Sequence, residues 1–279
     1  MSTPAQTELK RLADLVDLWW SAIEGFVDVL EQVPADQWST LTDLPGWDIQ
    51  ACAAHTAHLE GILAGNPEET ADVGELPHVT GLLGRYTEIG VFNRRNHSPQ
   101  QIIAEIRDVT ARRREWLRRH PPTDGSALPE TVFGGVPWTW DTLLRNRPLD
   151  IWMHEQDVRR AADRPGNLDS PAARHTASYL ADSLGYVLAK RVGAPSGTTA
   201  VLEIEGQDPV AFTVNAAGRG ERIDAAAVIS AGATVTLRCD RESFIVLAGG
   251  RRLPDTVPVT VDGDVSLGRR ILAALATTP

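Results

Sequence analysis

The feature that most constrains the fold of this chain is a change in hydrophobic periodicity near residue 190. Before it, apolar residues recur every three to four positions over long segments, which is typical of amphipathic helices. After it, the short runs AVLEIEG, AFTVNA, TVTLRC and VPVTVDGD are rich in β-branched residues, as strands are, with the helix-like segments RESFIVLAGG and VSLGRRILAALATTP among them. The 279 residues therefore predict an α+β chain, helical first and mixed α/β afterwards.

The helical part divides into segments bounded by capping and breaking residues. Asp48 is a predicted N-cap, Ser98-Pro99 is a helix start, and Pro148 should kink or split the helix that contains it. Helices are expected at about 8–32, 48–64, 78–96, 99–120, 139–163 and 170–190. Gly166 and the polar residues after it predict a domain boundary, with one domain over residues 1–165 and a second over 170–279.

Composition excludes several classes of partner. A net charge of -10 and a pI near 5.2 argue against nucleic acid or an anionic membrane surface. We find no apolar run long enough to span a bilayer and no pattern of a cleaved signal peptide. The two cysteines, Cys52 and Cys239, lie far apart outside any CxxC pattern, so we expect free thiols in a cytoplasmic protein. The sequence leaves the oligomeric state open.

Two separated helical segments carry a candidate metal site. Asp150 and His154 are four residues apart, so their side chains share one helix face. His55, on another predicted helix, would complete a set of two histidines and one carboxylate that leaves coordination positions open, as catalytic metal sites do. The alternative is a buried histidine beside an ordinary surface ion pair. His58 follows His55 by three residues and could face the same side.

Other residues near these segments have both a chemical and a structural interpretation. Asp157 could accept a hydrogen bond from an imidazole of the site, or pair with Arg160 or Arg113. Cys52 could reach the same cavity, although a small buried hydrophobic role is the better prediction. Trp138 and Trp140 should pack in the core or line a pocket. The arginines at 112–114, 118 and 119 predict a solvated face. GxSxG, Walker and GxGxxG motifs are absent from the sequence.

Three segments in order resemble the mycothiol-dependent maleylpyruvate isomerase family. The first is PGW, with a His eight residues after its Trp. The second is an acid four residues before a His, in a segment that continues from this His as HEQDVRRA. The third is the ending VTVDGDVSLGRRILAAL. The resemblance implies a DinB-like four-helix bundle followed by a sterol-carrier-like α/β domain. It also implies a divalent metal, zinc or a similar ion, bound by His55, Asp150 and His154. Asp150 stands where the family pattern has the longer Glu.

The function implied by this resemblance is that of a metal-dependent enzyme with mycothiol as its cosubstrate. The cation would hold the thiol as thiolate, which would attack a small electrophilic substrate, in an S-transferase or a cis–trans isomerase reaction. The nucleophile then comes from the thiol rather than from the protein. Arg222 or Arg238 could bind a substrate carboxylate.

Two other functions stay open at this point. In the first, the same metal activates water to hydrolyse an amide or a thiol conjugate, with Glu155 or Asp157 as the general base. In the second, the protein is not catalytic, and its α/β half carries an apolar ligand in a large cavity.

Overall fold

The computed structural model describes residues 3–79 and 81–278, and it divides between Asn167 and Leu168 into two compact units. We call them the helical unit and the sheet unit. Residue 80 of the predicted third helix and residue 279 of the last predicted helical segment lie outside the described residues. None of the helices in the described ranges has the length and hydropathy needed to cross a membrane.

Within residues 3–79 and 81–167, the helical unit contains five α-helices joined by loops and short turns. They are α1 (Pro4–Gln32), α2 (Ile49–Leu63), α3 (Gly81–Arg94), α4 (Pro99–Arg119) and α5 (Trp140–Ala161). Side-chain caps fix four of the five starts: Thr3, Asp48, Ser98 and Thr139 each accept a hydrogen bond from a backbone amide of the first turn. The predicted N-cap at Asp48 and the predicted helix start at Ser98-Pro99 are therefore confirmed.

Four of these helices form a closed bundle. The α1 helix packs against α4 and α5, while α2 packs against the same two helices from the other side. The α3 helix lies outside this ring, against α2. The buried stripe of α1, which includes Leu12, Trp19, Ile23, Phe26 and Leu30, follows the helical spacing of the sequence.

The α2 helix is the central element of the helical unit because it is buried on nearly every side. From Ile49 to Ile62, only Gln50 is not fully buried. A helix that is apolar all round belongs in a core, and most of α2 is Ala, Leu and Ile. Its polar exceptions include His55, His58 and Glu60, which are also buried, at a cost in free energy wherever a polar atom lacks a hydrogen-bond partner.

The α5 helix runs through Pro148 without being split there, contrary to one of the two expected outcomes. A proline inside a helix removes one backbone hydrogen bond and crowds the preceding turn. Here α5 packs against α1 and α2, and Pro148 is itself buried. Tertiary packing therefore outweighs the local preference for a break.

The sheet unit contains a five-stranded mixed sheet with the order β3-β2-β1-β4-β5. Its strands are β1 (Thr199–Ile204), β2 (Val210–Val214), β3 (Gly220–Ile223), β4 (Val235–Cys239) and β5 (Thr260–Gly263). The central pair β1–β4 is parallel, and the other pairs are antiparallel. The helices are α6 (Pro171–Ala181), α7 (Leu184–Tyr186), which continues into a π-helical turn, α8 (Ala225–Ala231), α9 (Arg241–Ala248) and α10 (Val265–Ala273).

The predicted α+β class is confirmed, with three corrections inside the sheet unit. The single helix expected over 170–190 is interrupted near Asp182, between α6 and α7. Strand β3 was not predicted because its residues are polar and mostly exposed at the sheet edge, so they show no apolar alternation. The α8 helix was also missed. It is short, and none of its residues is fully buried.

Candidate metal centre

The structure brings His55, Asp150 and His154 together in the helical unit, and we call them the first ligand set. Their ligand atoms all lie within 4.8 Å of one another. Nε2 of His55 is 3.5 Å from Oδ2 of Asp150, and Nε2 of His154 is 3.7 Å from Oδ1 of the same carboxylate. The α2 helix supplies the first imidazole, and one turn of α5 supplies the other two groups.

Trp47 covers the two imidazoles of the first ligand set. Its ring centroid lies 5.1 Å from that of His55 and 5.6 Å from that of His154. Its indole nitrogen donates to the buried Glu88 of α3. The preceding Gly46 has φ +78°, and a Cβ atom there would lie 2.3 Å from Nδ1 of His78. Only glycine suits this close approach, which accounts for the PGW sequence at the start of the site.

The electrostatics around Asp150 keep its carboxyl group ionised. Burial by itself would raise the pKa of Asp150, but the Arg147 guanidinium and the facing imidazoles hold it well below its usual range. Burial lowers the pKa of His55, and Asp150 only partly opposes this. The site therefore presents a carboxylate beside a neutral His55 near neutral pH, which is the protonation state that a metal requires.

A buried ion-pair network lies beneath Asp150. Nη1 of Arg147 donates to Asp150 over 2.9 Å, and its Nε donates to Glu60 of α2 over 2.8 Å. Glu60 also accepts from Arg113 of α4 over 2.6 Å and from the indole of Trp19. Glu60 and Arg147 have no exposed surface. Buried charges are costly unless each is paired, and here the acids and bases alternate along the chain of contacts.

A second ligand set shares His154 with the first. It consists of Cys52, His154 and Asp157, whose ligand atoms also lie within 4.8 Å of one another. Nδ1 of His154 is 3.3 Å from Oδ2 of Asp157, a close approach without hydrogen-bond geometry. Oδ1 of Asp157 accepts from Arg160, as the sequence suggested. The two nitrogens of His154 thus face two different carboxylates.

The structure places the remaining sequence candidates away from the two sets. His58 lies beside Tyr86 and Gly90 of α3, and neither of its ring nitrogens has a hydrogen-bond partner. Glu155 is fully buried and pairs with Arg159 and Asn167. Its position gives it no role in either set.

The two arginines predicted to contact substrate both lie in the sheet unit and both pair with acids there. Arg222 contacts Asp182 over 2.6 Å. Arg238 contacts Glu203 and Asp262. Their role as substrate contacts stays a prediction.

Sequence reasoning missed the network formed by Glu60, Arg113 and Arg147. The signal was present, since Glu60 is the one acid inside an otherwise apolar α2 helix and must be paired when buried. Arg113 was grouped with its neighbours as a solvated face, which holds for Arg112 and Arg114 but not for Arg113. The sequence alone does not show which arginine of a run is buried.

Trp138 and Trp140 pack against the apolar cluster that contains Phe133 and Leu143.

The donor chemistry of the first ligand set fits a divalent ion such as zinc. Zinc–nitrogen and zinc–oxygen bonds of about 2.0–2.2 Å in tetrahedral geometry put ligand atoms roughly 3.3–3.6 Å apart. The separations of 3.5 and 3.7 Å from Asp150 to the two histidines are close to this. Nδ1 of His55 is buried without a hydrogen-bond partner. The polar contact of this ring is therefore the one between Nε2 and Asp150.

Comparisons with known proteins agree with the fold. Two crystal structures match this chain, and each match covers 91% of this chain and 94% of the other chain. One is the mycothiol-dependent maleylpyruvate isomerase, with a TM-score of 0.54 and 18% identity. The other is a histidine-to-alanine mutant of the mycothiol-dependent maleylpyruvate isomerase, with a TM-score of 0.56 and 17% identity. A comparison with curated proteins gave no match.

Family models match both units of the chain. Residues 19–159 match the mycothiol maleylpyruvate isomerase N-terminal domain, and residues 174–270 match the C-terminal domain of the same family. The first model alone spans half of the chain, and the second follows it in the expected order. The chain therefore belongs to the mycothiol maleylpyruvate isomerase family of enzymes.

Proposed function

We propose that this enzyme binds a divalent metal, zinc or a similar ion, through His55, Asp150 and His154, and uses it to add mycothiol to a small electrophilic substrate. The reaction is a cis–trans isomerisation of the maleylpyruvate type or an S-transfer. The observation that carries the proposal is the convergence of two imidazoles and an ionised carboxylate from two helices, in a chain of this family. We further propose that the enzyme is cytoplasmic.

The charge of the buried network favours an anionic thiol and an anionic substrate. Asp150 and Glu60 carry one negative charge each, and Arg147 and Arg113 balance them. With neutral histidines, a divalent ion would therefore bring two positive charges that the protein does not neutralise. A thiolate together with a substrate carboxylate would neutralise them. This charge balance supports a carboxylate-bearing electrophile such as maleylpyruvate.

When bound, the ion supplies the Lewis acidity that keeps a thiol sulfur deprotonated near neutral pH. The residues of the chain do the rest. Arg147 keeps Asp150 ionised and fixes its orientation, and Trp47 shields the imidazoles from water. In an isomerisation, the thiolate forms a C–S bond at the activated double bond and the π electrons move onto the adjacent carbonyl. Rotation and elimination then restore the double bond and release the thiolate.

The two alternative functions have less support. Hydrolysis needs a general base that can reach a water molecule, yet Glu155 and Asp157 have no exposed surface and pair with Arg159 and Arg160. A purely ligand-carrying role calls for an enclosed apolar cavity in the sheet unit. The groove of about 810 Å³ found there is open and has Glu203, Glu205 and Arg238 on its wall.

The test combines metal analysis with product analysis. Wild type should contain one divalent ion per chain, and His55→Ala should contain much less. Incubation of the loaded enzyme with mycothiol and a panel of electrophiles, followed by mass spectrometry, should give a thiol adduct or an isomerised diacid. Cleavage products without added thiol would favour the hydrolase instead. A wild-type protein that neither contains nor binds metal would refute both.

Replacing Asp150 by glutamate tests the carboxylate directly. Asp150→Glu restores the longer side chain of the family pattern and should keep part of the metal affinity, because the ligand type is unchanged. Asp150→Ala should bind metal more weakly by about 100-fold or more, since it removes a ligand and leaves Arg147 with Glu60 as its remaining partner. Isothermal titration with zinc measures both. Equal affinities in wild type and Asp150→Ala would remove this residue from the site.

A further inference from the structure

The second ligand set lies at the interface of α2 and α5 and shares His154 with the proposed metal centre. Cys52 and Asp157 have no exposed surface, and His154 is 5% exposed. Nδ1 of His154 is a buried polar atom without a hydrogen-bond partner, and it faces Oδ2 of Asp157 at 3.3 Å. A buried nitrogen without a partner beside a thiol and a carboxylate calls for an explanation.

We propose that Cys52, Nδ1 of His154 and Asp157 form a second, inhibitory position for a thiophilic divalent cation such as Cd²⁺, which competes with the ion of the first ligand set. Thiolate, imidazole and carboxylate are the donors that zinc and cadmium accept together, and the thiolate favours the softer ion. The spacing suits this, since all three ligand atoms lie within 4.8 Å before any adjustment to an ion.

The local charge is suited to a divalent ion in this position. Arg160 pairs with both Asp157 and Asp43, over 2.6 and 2.7 Å. Asp43 balances the charge of Arg160. The carboxylate of Asp157 and the thiolate of Cys52 then balance the two charges of the ion. Binding forms one sulfur–metal bond, breaks the S–H bond of Cys52 and releases that proton to solvent. The second position is thus neutral when filled.

Inhibition follows from the shared imidazole. A neutral histidine has one nitrogen with a lone pair, and the other nitrogen carries the proton. When Asp157 accepts a hydrogen bond from Nδ1 of His154, Nε2 is the nitrogen that can bind a metal beside Asp150. When Nδ1 binds a cation, Nε2 carries the proton and is lost to the first ligand set. The two positions therefore compete for one imidazole.

The chain offers a clean experiment because it has only two cysteines. Cys239→Ser leaves Cys52 as the sole thiol, and Cys52→Ser leaves Cys239 in the sheet unit. Each full-length protein, freed of metal by a chelator, is titrated with Cd²⁺ while the ultraviolet thiolate-to-cadmium charge-transfer absorption is recorded. Wild type and Cys239→Ser should gain the band, saturating at one ion per chain. Cys52→Ser should lack this band, even where Cd²⁺ binds to the first ligand set, because that set has no thiolate.

Two further measurements separate this proposal from the proposed function. His55→Ala lacks a ligand of the first set only, so it should keep the cadmium band. Cd²⁺ added to the zinc-loaded enzyme should displace zinc and inhibit wild type and Cys239→Ser at concentrations that leave Cys52→Ser active. The absence of the band in Cys239→Ser overturns the second position even if the thiol-dependent reaction is confirmed. A band in His55→Ala supports it even if no such reaction is found.

Discussion

The two units of this protein treat electric charge in opposite ways. In the helical unit, acids and bases such as Glu60, Arg147 and Asp157 are completely buried and pair with one another. In the sheet unit, Arg241 is the one ionisable side chain among the described residues that is fully buried. Other ion pairs of the sheet unit, such as Arg222 with Asp182, are about half exposed.

This difference indicates where the chemistry lies. Pairing of buried charges rarely adds net stability, because desolvation costs about as much as the Coulomb attraction returns. A core that keeps such a network therefore suggests another use for it, and in this chain the network ends at Asp150 and the imidazoles of the first ligand set. The exposed pairs of the sheet unit need no such explanation, since water solvates them.

The largest effect that would sharpen this comparison is expected from His154→Ala. His154 belongs to both ligand sets, so its loss should lower metal affinity by over about 100-fold and reduce thiol-dependent turnover to background. Zinc titration and product formation with mycothiol measure the two quantities.

The matched control for this prediction is His120→Ala. His120 is an exposed histidine at the C-cap of α4, and it belongs to neither ligand set. The control should bind zinc as wild type does. A His154→Ala protein that retains full zinc affinity would break the link between the buried network and metal binding.

A large stability effect is expected from Arg147→Met. Methionine fills much of the same volume but leaves Asp150 and one side of Glu60 without their buried cation. Breaking a buried pair in this way costs about 3–5 kcal/mol of unfolding free energy. Urea denaturation at neutral pH measures the loss.

The same substitution in the sheet unit provides the contrast. Arg222 is 56% exposed and its partner Asp182 is 43% exposed. Arg222→Met should therefore change the unfolding free energy by less than about 1 kcal/mol. Equal losses in the two variants would mean that the buried and exposed pairs do not differ as argued.

Sequence periodicity predicted the helices and most strands because each depends on local pattern. The N-cap Asp48 and the helix start at Ser98-Pro99 were predicted from one or two residues at the ends of helical segments. Local pattern failed where tertiary packing decided, as at Pro148, which is buried inside the folded helix, and at the edge strand β3. Both cases required knowledge of what packs against the segment.

The candidate site was predictable for the same reason and to the same extent. The Asp150–His154 spacing is local, and His55 was proposed as the third ligand from a second helical segment before the resemblance to the family supported it. The role of Arg147 was hidden because its partners are Asp150, three residues away, and Glu60, which is 87 residues away. The second nitrogen of His154 and its approach to Asp157 depend on ring orientation, which no sequence pattern fixes.

A smaller effect is expected in the pH dependence of stability. Burial lowers the pKa of His58 from 6.5 to about 4. Between these values the unfolded chain binds a proton that the folded chain does not, so His58 makes unfolding easier as the pH falls through this range. Because its ring nitrogens have no partners, His58→Leu leaves no other polar group unpaired.

The measurement compares unfolding free energies of the metal-free proteins at pH 7 and pH 4.5. The loss between these two values should be smaller in His58→Leu than in wild type by about 2–3 kcal/mol. His97→Leu, at an exposed position, should keep the wild-type loss. An unchanged loss in His58→Leu would show that His58 is protonated to the same degree in both states.

The smallest effect is expected from the arginines predicted to bind a substrate carboxylate. Arg238 already pairs with Glu203 and Asp262, whereas Arg222 pairs with Asp182 alone, so Arg222 keeps more of its hydrogen-bonding capacity. Arg222→Gln should therefore raise KM for a carboxylate-bearing electrophile by up to about tenfold, and Arg238→Gln by less, with kcat unchanged. An uncharged electrophile is the control, since its KM should not respond to either change. A fall in kcat with both electrophiles would instead indicate a structural role, and the sheet unit's exposed charges would then serve the fold rather than the substrate.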